Sequence, residues 1–66
     1  MTINVNGTDR DVPDGATVTE MLAALGVPAR GVAVAIDGVV VARTDHDHRV
    51  VPDGADVEVL TAVQGG

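Results

Sequence analysis

From Thr2 to Gly7 the chain alternates, with Ile3 and Val5 on one side and Asn4 on the other, and this spacing predicts a β-strand. Asn6-Gly7 tolerates positive φ and suits a two-residue hairpin turn. The return strand, about Thr8 to Val12, is short and carries Asp9, Arg10 and Asp11, as expected at a sheet edge that must resist pairing with other chains. Val12-Pro13-Asp14-Gly15 reads as a turn, because Pro presets φ, Asp bonds its own backbone and Gly takes the left-handed position. A helix follows. Thr17 is its N-cap, Glu20 closes a capping box, and Ala16 and Met21 occupy the positions of a hydrophobic staple. Val18, Met21, Leu22 and Leu25 recur at i, i+3, i+4 and i+7, so one stripe faces a core. Gly26 ends the helix, Val27 folds back on Leu22 as in a Schellman motif, and Pro28 forbids continuation.

The segment GVAVAIDGVVVAR begins at Gly31, and in it Val32, Val34 and Ile36 alternate with Ala33 and Ala35. Asp37-Gly38 supplies a second two-residue turn, and Val39 to Arg43 is expected to return as a strand, with Ile36 facing Val39, Ala35 facing Val40 and Val34 facing Val41. Both faces of this hairpin are apolar, and one helix covers only one of them. Val40, Ala33 and Ala35 are therefore candidates for a partner-facing patch, or simply residues that suit strands. Thr44 to Arg49 is polar and unpatterned, and a solvated loop is expected there. Its His46-Asp47-His48 spacing places two imidazoles on one side of an extended segment, but without a further well-placed ligand no metal site is assigned. Val51-Pro52-Asp53-Gly54-Ala55 repeats the turn chemistry of Val12-Pro13-Asp14-Gly15-Ala16. After it, Val57, Val59 and Thr61 alternate with Glu58, Leu60 and Ala62 in a last strand that runs into Val63-Gln64-Gly65-Gly66.

The predicted order is strand, strand, helix, strand, strand, strand. A single apolar helical stripe is satisfied by an α+β domain with the helix laid across one face of a mixed sheet of about five strands. The last strand is best buried at the centre, parallel to the first. That arrangement is the β-grasp, or ubiquitin-like, fold, expected here as one domain over residues 1–66 with 63–66 as a flexible tail.

Composition narrows the function. The chain has 66 residues, near the lower limit for a single core without staples, and no Cys, so it offers no disulfide framework, thiolate metal site or catalytic thiol. Its formal net charge is −6, its basic residues are Arg10, Arg30, Arg43 and Arg49, and it has no aromatic residue. Nucleic acid is a poor ligand for such a surface, which lacks both a basic face and stacking platforms. A basic protein partner suits it better. No apolar run approaches the roughly 18 residues of a membrane span and the N-terminus has no basic, greasy leader, so a cytoplasmic location away from membranes is expected. Lysine is absent; this either spares an activated terminal acyl group from capture by the chain's own amines or reflects a compositional preference for Arg. There is no nucleophile elbow, phosphate-cradling loop or carboxylate pair flanking a pocket, so the chain is expected not to be an enzyme.

What remains is the terminal Gly65-Gly66, whose free carboxylate is the candidate reactive group. Lacking Cβ, the pair threads a narrow channel, adopts any φ needed there and leaves the carbonyl unshielded on both faces. Val63 and Gln64 would enter the same channel. A rigid patch beside the tail is expected to offset the entropy of ordering it, with Leu60, Ala62 and Val63 as patch candidates alongside Val40, or as buried residues.

A short β-grasp with TVTEMLAALG on its helix, GVAVAIDGVVVAR on its middle hairpin and DGADVEVLTAVQGG at its end resembles ThiS, the sulfur carrier family of thiamin thiazole biosynthesis, over essentially the whole chain. Asp37-Gly38 stands where Asn-Gly is common in the family, and the loop after Arg43 lacks an aromatic often found there. The resemblance implies that an E1-like adenylyltransferase (ThiF- or MoeB-like) uses MgATP to adenylate the Gly66 carboxylate. A persulfide or sulfide, supplied by a cysteine desulfurase or another sulfide source, then displaces AMP. The resulting thiocarboxylate donates sulfur to a ThiG-like thiazole synthase. The carrier itself would bind no cofactor and act as a co-substrate. A MoaD-like carrier for molybdopterin or another metabolite shares this terminus; a ubiquitin-like modifier would be conjugated through Gly66, and a plain interaction domain would use only its surface.

Overall fold

A computed structural model describes residues 1–28 and 30–61. Its strands are β1 Thr2–Val5, β2 Thr8–Asp11, β3 Val32–Ile36, β4 Val39–Val41 and β5 Asp56–Thr61, and its helix is α1 Val18–Ala24. The five strands make one sheet in the order β2-β1-β5-β3-β4. β5 therefore lies at the centre, parallel to β1 (Asn4↔Asp56, Val5↔Val57) and antiparallel to β3 from Ile36↔Val57 to Val32↔Thr61. With α1 across one face, this is the β-grasp fold.

Two hairpins fix the registers. Asn6 (φ 52) with Gly7 (φ 86), and Asp37 (φ 50) with Gly38 (φ 83), have the paired left-handed backbone of type I′ turns, whose twist matches that of the flanking strands. The second turn sets Ile36↔Val39, Ala35↔Val40 and Val34↔Val41, as the two-residue loop predicts. β2 is an edge strand, exposed at all four positions.

The helix forms where its caps place it. Thr17 Oγ1 accepts from the Glu20 N–H at 3.2 Å while Glu20 Oε1 accepts from the Thr17 N–H at 2.9 Å. At the other end, the Gly26 N–H donates to the Ala23 carbonyl at 3.1 Å and the Val27 N–H to the Leu22 carbonyl at 2.9 Å, the two bonds of a Schellman motif. A helix of seven residues does not persist alone in water. It is held by Val18, Met21 and Leu22, which are buried against Ile3, Val5, Val34, Ile36, Val57 and Val59 of the sheet. Thr17→Ala is expected to cost about 1 kcal/mol, lowering the melting temperature by about 4–8 °C for a domain of this size, as thermal unfolding followed by circular dichroism would record.

The repeated turn has a structural counterpart. Val12 and Val51, and likewise Ala16 and Ala55, are buried, and each copy closes with an Ala N–H donating to the Pro carbonyl at 3.2 Å. The chain around the second copy also pairs with the first: the Val51 N–H donates to the Ala16 carbonyl at 2.8 Å and the Val18 N–H to the Arg49 carbonyl at 2.9 Å. At the start of the chain, the Met1 amine donates to Asp14 Oδ1 and to the Val12 carbonyl, both at 2.8 Å. The hydrogen bond to Asp14 raises the amine's pKa and lowers that of the carboxyl.

Two expectations are corrected. The return strand ends at Val41, not Arg43, because the chain leaves the sheet at Ala42 and Arg43–Asp45 forms a 3₁₀ turn, closed by the Asp45 N–H on the Ala42 carbonyl at 2.8 Å. The following loop is not wholly solvated, since His46 is only 6% exposed. The 3₁₀ turn swings the loop against the start of α1, where the Thr19 N–H donates to the His46 carbonyl at 3.1 Å and Thr19 Oγ1 donates to Asp47. Among the described residues His46 Nε2 has no hydrogen-bond partner. Among the described residues no helix is long and apolar enough to cross a membrane.

Candidate functional site

β5 is the strand that leads to the candidate reactive end. Gly66, Gly65, Gln64, Val63 and Ala62 lie outside the described residues, so the roles expected of them have no structural description. The structure does show where the chain stands when it reaches them. Thr61 is paired with Val32 of β3, in the interior of the sheet order.

Strand alternation sorts the side chains beside this exit. Val57 and Val59 point to α1 and are buried, whereas Leu60 points away from it and is 64% exposed. In register with Leu60 is Ala33, which is exposed, and two residues along β3 Ala35 pairs with Val40, 75% exposed. Val40 is thus exposed, and so is Leu60, for which a buried place was the alternative. With the two alanines between them they form an apolar area on the face that the helix leaves bare. A second residue at the exit escaped the sequence reading. Arg43 lines a shallow hollow with Gly31, Val32, Ala33, Leu60 and Thr61, and so brings a cation beside the end of β5. No signal in the sequence placed it there, because it was assigned to a strand.

The same bare face also carries acidic residues among the polar Thr2 and Asn4. Asp11 pairs with Thr2, Asp9 and Asp56 each pair with Asn4, and Glu58 pairs with Ala35, so these four carboxylates share the face with Leu60 and Val40, and all four are exposed. A surface with an apolar area at one end and carboxylates at the other favours a partner with an apolar contact ringed by basic groups. Of the two histidines, His46 is buried, while His48 is exposed and lines a hollow with Val40 and Arg49 at the β4 edge. Among the described residues no group of three or more His, Asp or Glu is placed to hold a metal ion.

Asn6 is the other residue whose part the sequence understated. Read only as a turn former, it also binds β5: its Nδ2 donates to the Val59 carbonyl at 2.9 Å and its Oδ1 accepts from the Val59 N–H at 2.9 Å. The contact spans 53 positions of sequence, which no local pattern reports.

The comparisons agree with this architecture. The model of the ThiS family matches residues 3–66. A crystal structure of a thiamine biosynthesis protein (ThiS) from Geobacter metallireducens is 43% identical, covers 100% of both chains and superposes with a TM-score of 0.79. An NMR solution structure of a thiamine biosynthesis protein from the same organism is 39% identical, covers 100% of this chain and 88% of that one, and has a TM-score of 0.80. No curated protein matches the chain. With a family match over residues 3–66 and a solved relative that is 43% identical and covered in full, the chain belongs to the ThiS family.

Proposed function

We propose that this protein is the sulfur carrier of thiamin thiazole synthesis, a co-substrate and not an enzyme, which carries sulfur as a thiocarboxylate on Gly66. The observation that carries the reading is the position of β5, the central strand, whose described end at Thr61 is paired with β3 beside an exposed apolar area and is followed in sequence by the Gly-Gly end. Family membership supports it.

The chemistry follows from the nature of a carboxylate, which is too poor an electrophile to exchange oxygen for sulfur. An E1-like adenylyltransferase with MgATP joins a Gly66 oxygen to the α-phosphate and releases pyrophosphate. In the mixed anhydride the acyl carbon is open to attack and AMP is a good leaving group. Sulfide displaces AMP directly. A persulfide displaces it to give an acyl disulfide, which a second thiol cleaves to the thiocarboxylate. The sulfur so held is nucleophilic and passes to an acceptor on a thiazole synthase. Leu60, Val40 and, beyond the described residues, Ala62 provide docking contact, while Val63, Gln64 and Gly65 reach into the partner's active site.

Intact-mass measurement after incubation with a cognate activating enzyme, ATP and a sulfur source tests this directly. The expected product is heavier by the exchange of one oxygen for one sulfur; an unchanged mass rules the carrier reading out, and covalent adducts with other proteins identify a modifier instead. Docking has its own test. Leu60→Asp is expected to lower kcat/KM for adenylation about tenfold, chiefly through KM, because a truncated interface anchor commonly costs more than 1 kcal/mol. Its melting temperature should stay close to that of the parent, since the side chain is already 64% exposed.

A further inference from the structure

β1 stops before β5 does. The Asn4 N–H donates to the Ala55 carbonyl and the Asn6 N–H to the Val57 carbonyl, both at 2.9 Å, and the chain then turns away through Gly7 into β2. On this side the next groups of β5 to need partners are the N–H and carbonyl of Val59. In a continued parallel strand, one backbone carbonyl and one N–H would meet them. The Asn6 side chain supplies the same two groups, Oδ1 and Nδ2, at 2.9 Å each. A carboxamide is a peptide group in miniature, so one side chain adds a rung to a strand that has already ended. The left-handed backbone of Asn6, φ 52, lets the chain turn away while the side chain stays with the sheet.

We infer that Asn6 is a positioning residue for the C-terminal end. It holds β5 on its β1 side up to Val59, two residues before Thr61, while β3 holds the other side as far as Thr61. This fixes the described end of β5, and so limits how many residues of that strand must be ordered when an activating enzyme takes up the Gly-Gly end. Without the clamp, the last residues of β5 are secured from one side only, and docking has to fix them as well. Freeing about one residue's backbone corresponds to roughly tenfold in the docking equilibrium. The inference rests on the sulfur-carrier reading for its functional part.

Asn6→Gly keeps the positive φ and removes the amide. Its expected signature has two parts: faster hydrogen exchange at the Val59 amide with Ile3 and Val57 unchanged, and kcat/KM for carrier-dependent ATP–pyrophosphate exchange lowered about tenfold, mainly through KM. Thr17→Ala is the control for stability alone, because it loosens the N-terminal end of the helix and leaves Val59 clamped. Asn6→Asp adds a rescue: its ionised carboxylate faces the Val59 carbonyl, but once protonated, below about pH 4, it again offers a donor and an acceptor, and Val59 protection should return. If Asn6→Gly is activated as well as the parent, or if Thr17→Ala lowers KM-dependent activity equally, the positioning role is overturned while the carrier reading stands. If the parent itself supports no ATP–pyrophosphate exchange with its cognate enzyme, the carrier reading falls and takes the positioning role with it. Unchanged Val59 exchange in Asn6→Gly overturns the clamp whatever the enzyme does.

Discussion

Gly66→Ala is expected to slow activation by a cognate adenylating enzyme about a hundredfold, the order of loss that follows when a reacting atom is misplaced by about 1 Å. The added methyl group has two effects. In the proposed reaction it restricts φ at the residue whose carboxylate is to reach the α-phosphate, and it shields one face of the carbonyl that sulfur is to attack. Both act on kcat more than on KM, because the docking contacts proposed for Leu60 and Val40 are untouched. Unfolding should be little affected, because a chain end generally has little packing to lose. Steady-state adenylation and thermal melting of the same preparation check both halves. An Ala variant activated at the parental rate would remove the reason for a Gly-Gly end.

Leu22→Ala should have the largest effect on stability. Leu22 is 1% exposed, and burial this complete makes the loss about 2–5 kcal/mol, with a cavity beneath the helix. For a chain of 66 residues the total stability is only about 3–10 kcal/mol, so a large share of the molecules is expected to be unfolded at physiological temperature. The site is exacting for a second reason. Leu22 also provides the carbonyl that accepts the Val27 N–H, and Val27 packs against the core, so the side chain and the helix stop occupy one place. Urea unfolding gives the measure; a loss below about 1 kcal/mol would mean that the core closes over the gap.

Most of the fold was legible because its signals are local. Thr17 with Glu20, Gly26 with Val27, Asn6-Gly7 and Asp37-Gly38 each define a cap or turn within a few residues, and each has the hydrogen bonds or backbone angles that those residues demand. The central place of β5 also followed, since a strand with Val57 and Val59 on one side needs neighbours on both edges. The failures lie where tertiary contact decides. His46 sits among polar residues and carries no apolar pattern, yet it is buried because the loop docks on Thr19. Arg43 continued a strand by composition, but the chain broke into a 3₁₀ turn that carried it toward Thr61. The exposure of Leu60 needed the sheet parity set by its pairing with Ala33.

Asn6-Gly7 has a further property, because Asn-Gly is a dipeptide prone to spontaneous deamidation. The glycine nitrogen attacks the side-chain carbonyl carbon, ammonia departs, and water opens the resulting succinimide to aspartate or isoaspartate. In this fold the Asn6 amide is engaged through both its oxygen and its nitrogen by Val59. Ring closure therefore requires the side chain to release β5 first. The contact that extends the sheet also shields this turn from chemical ageing, and the lifetime of the carrier is tied to how rarely that one rung opens.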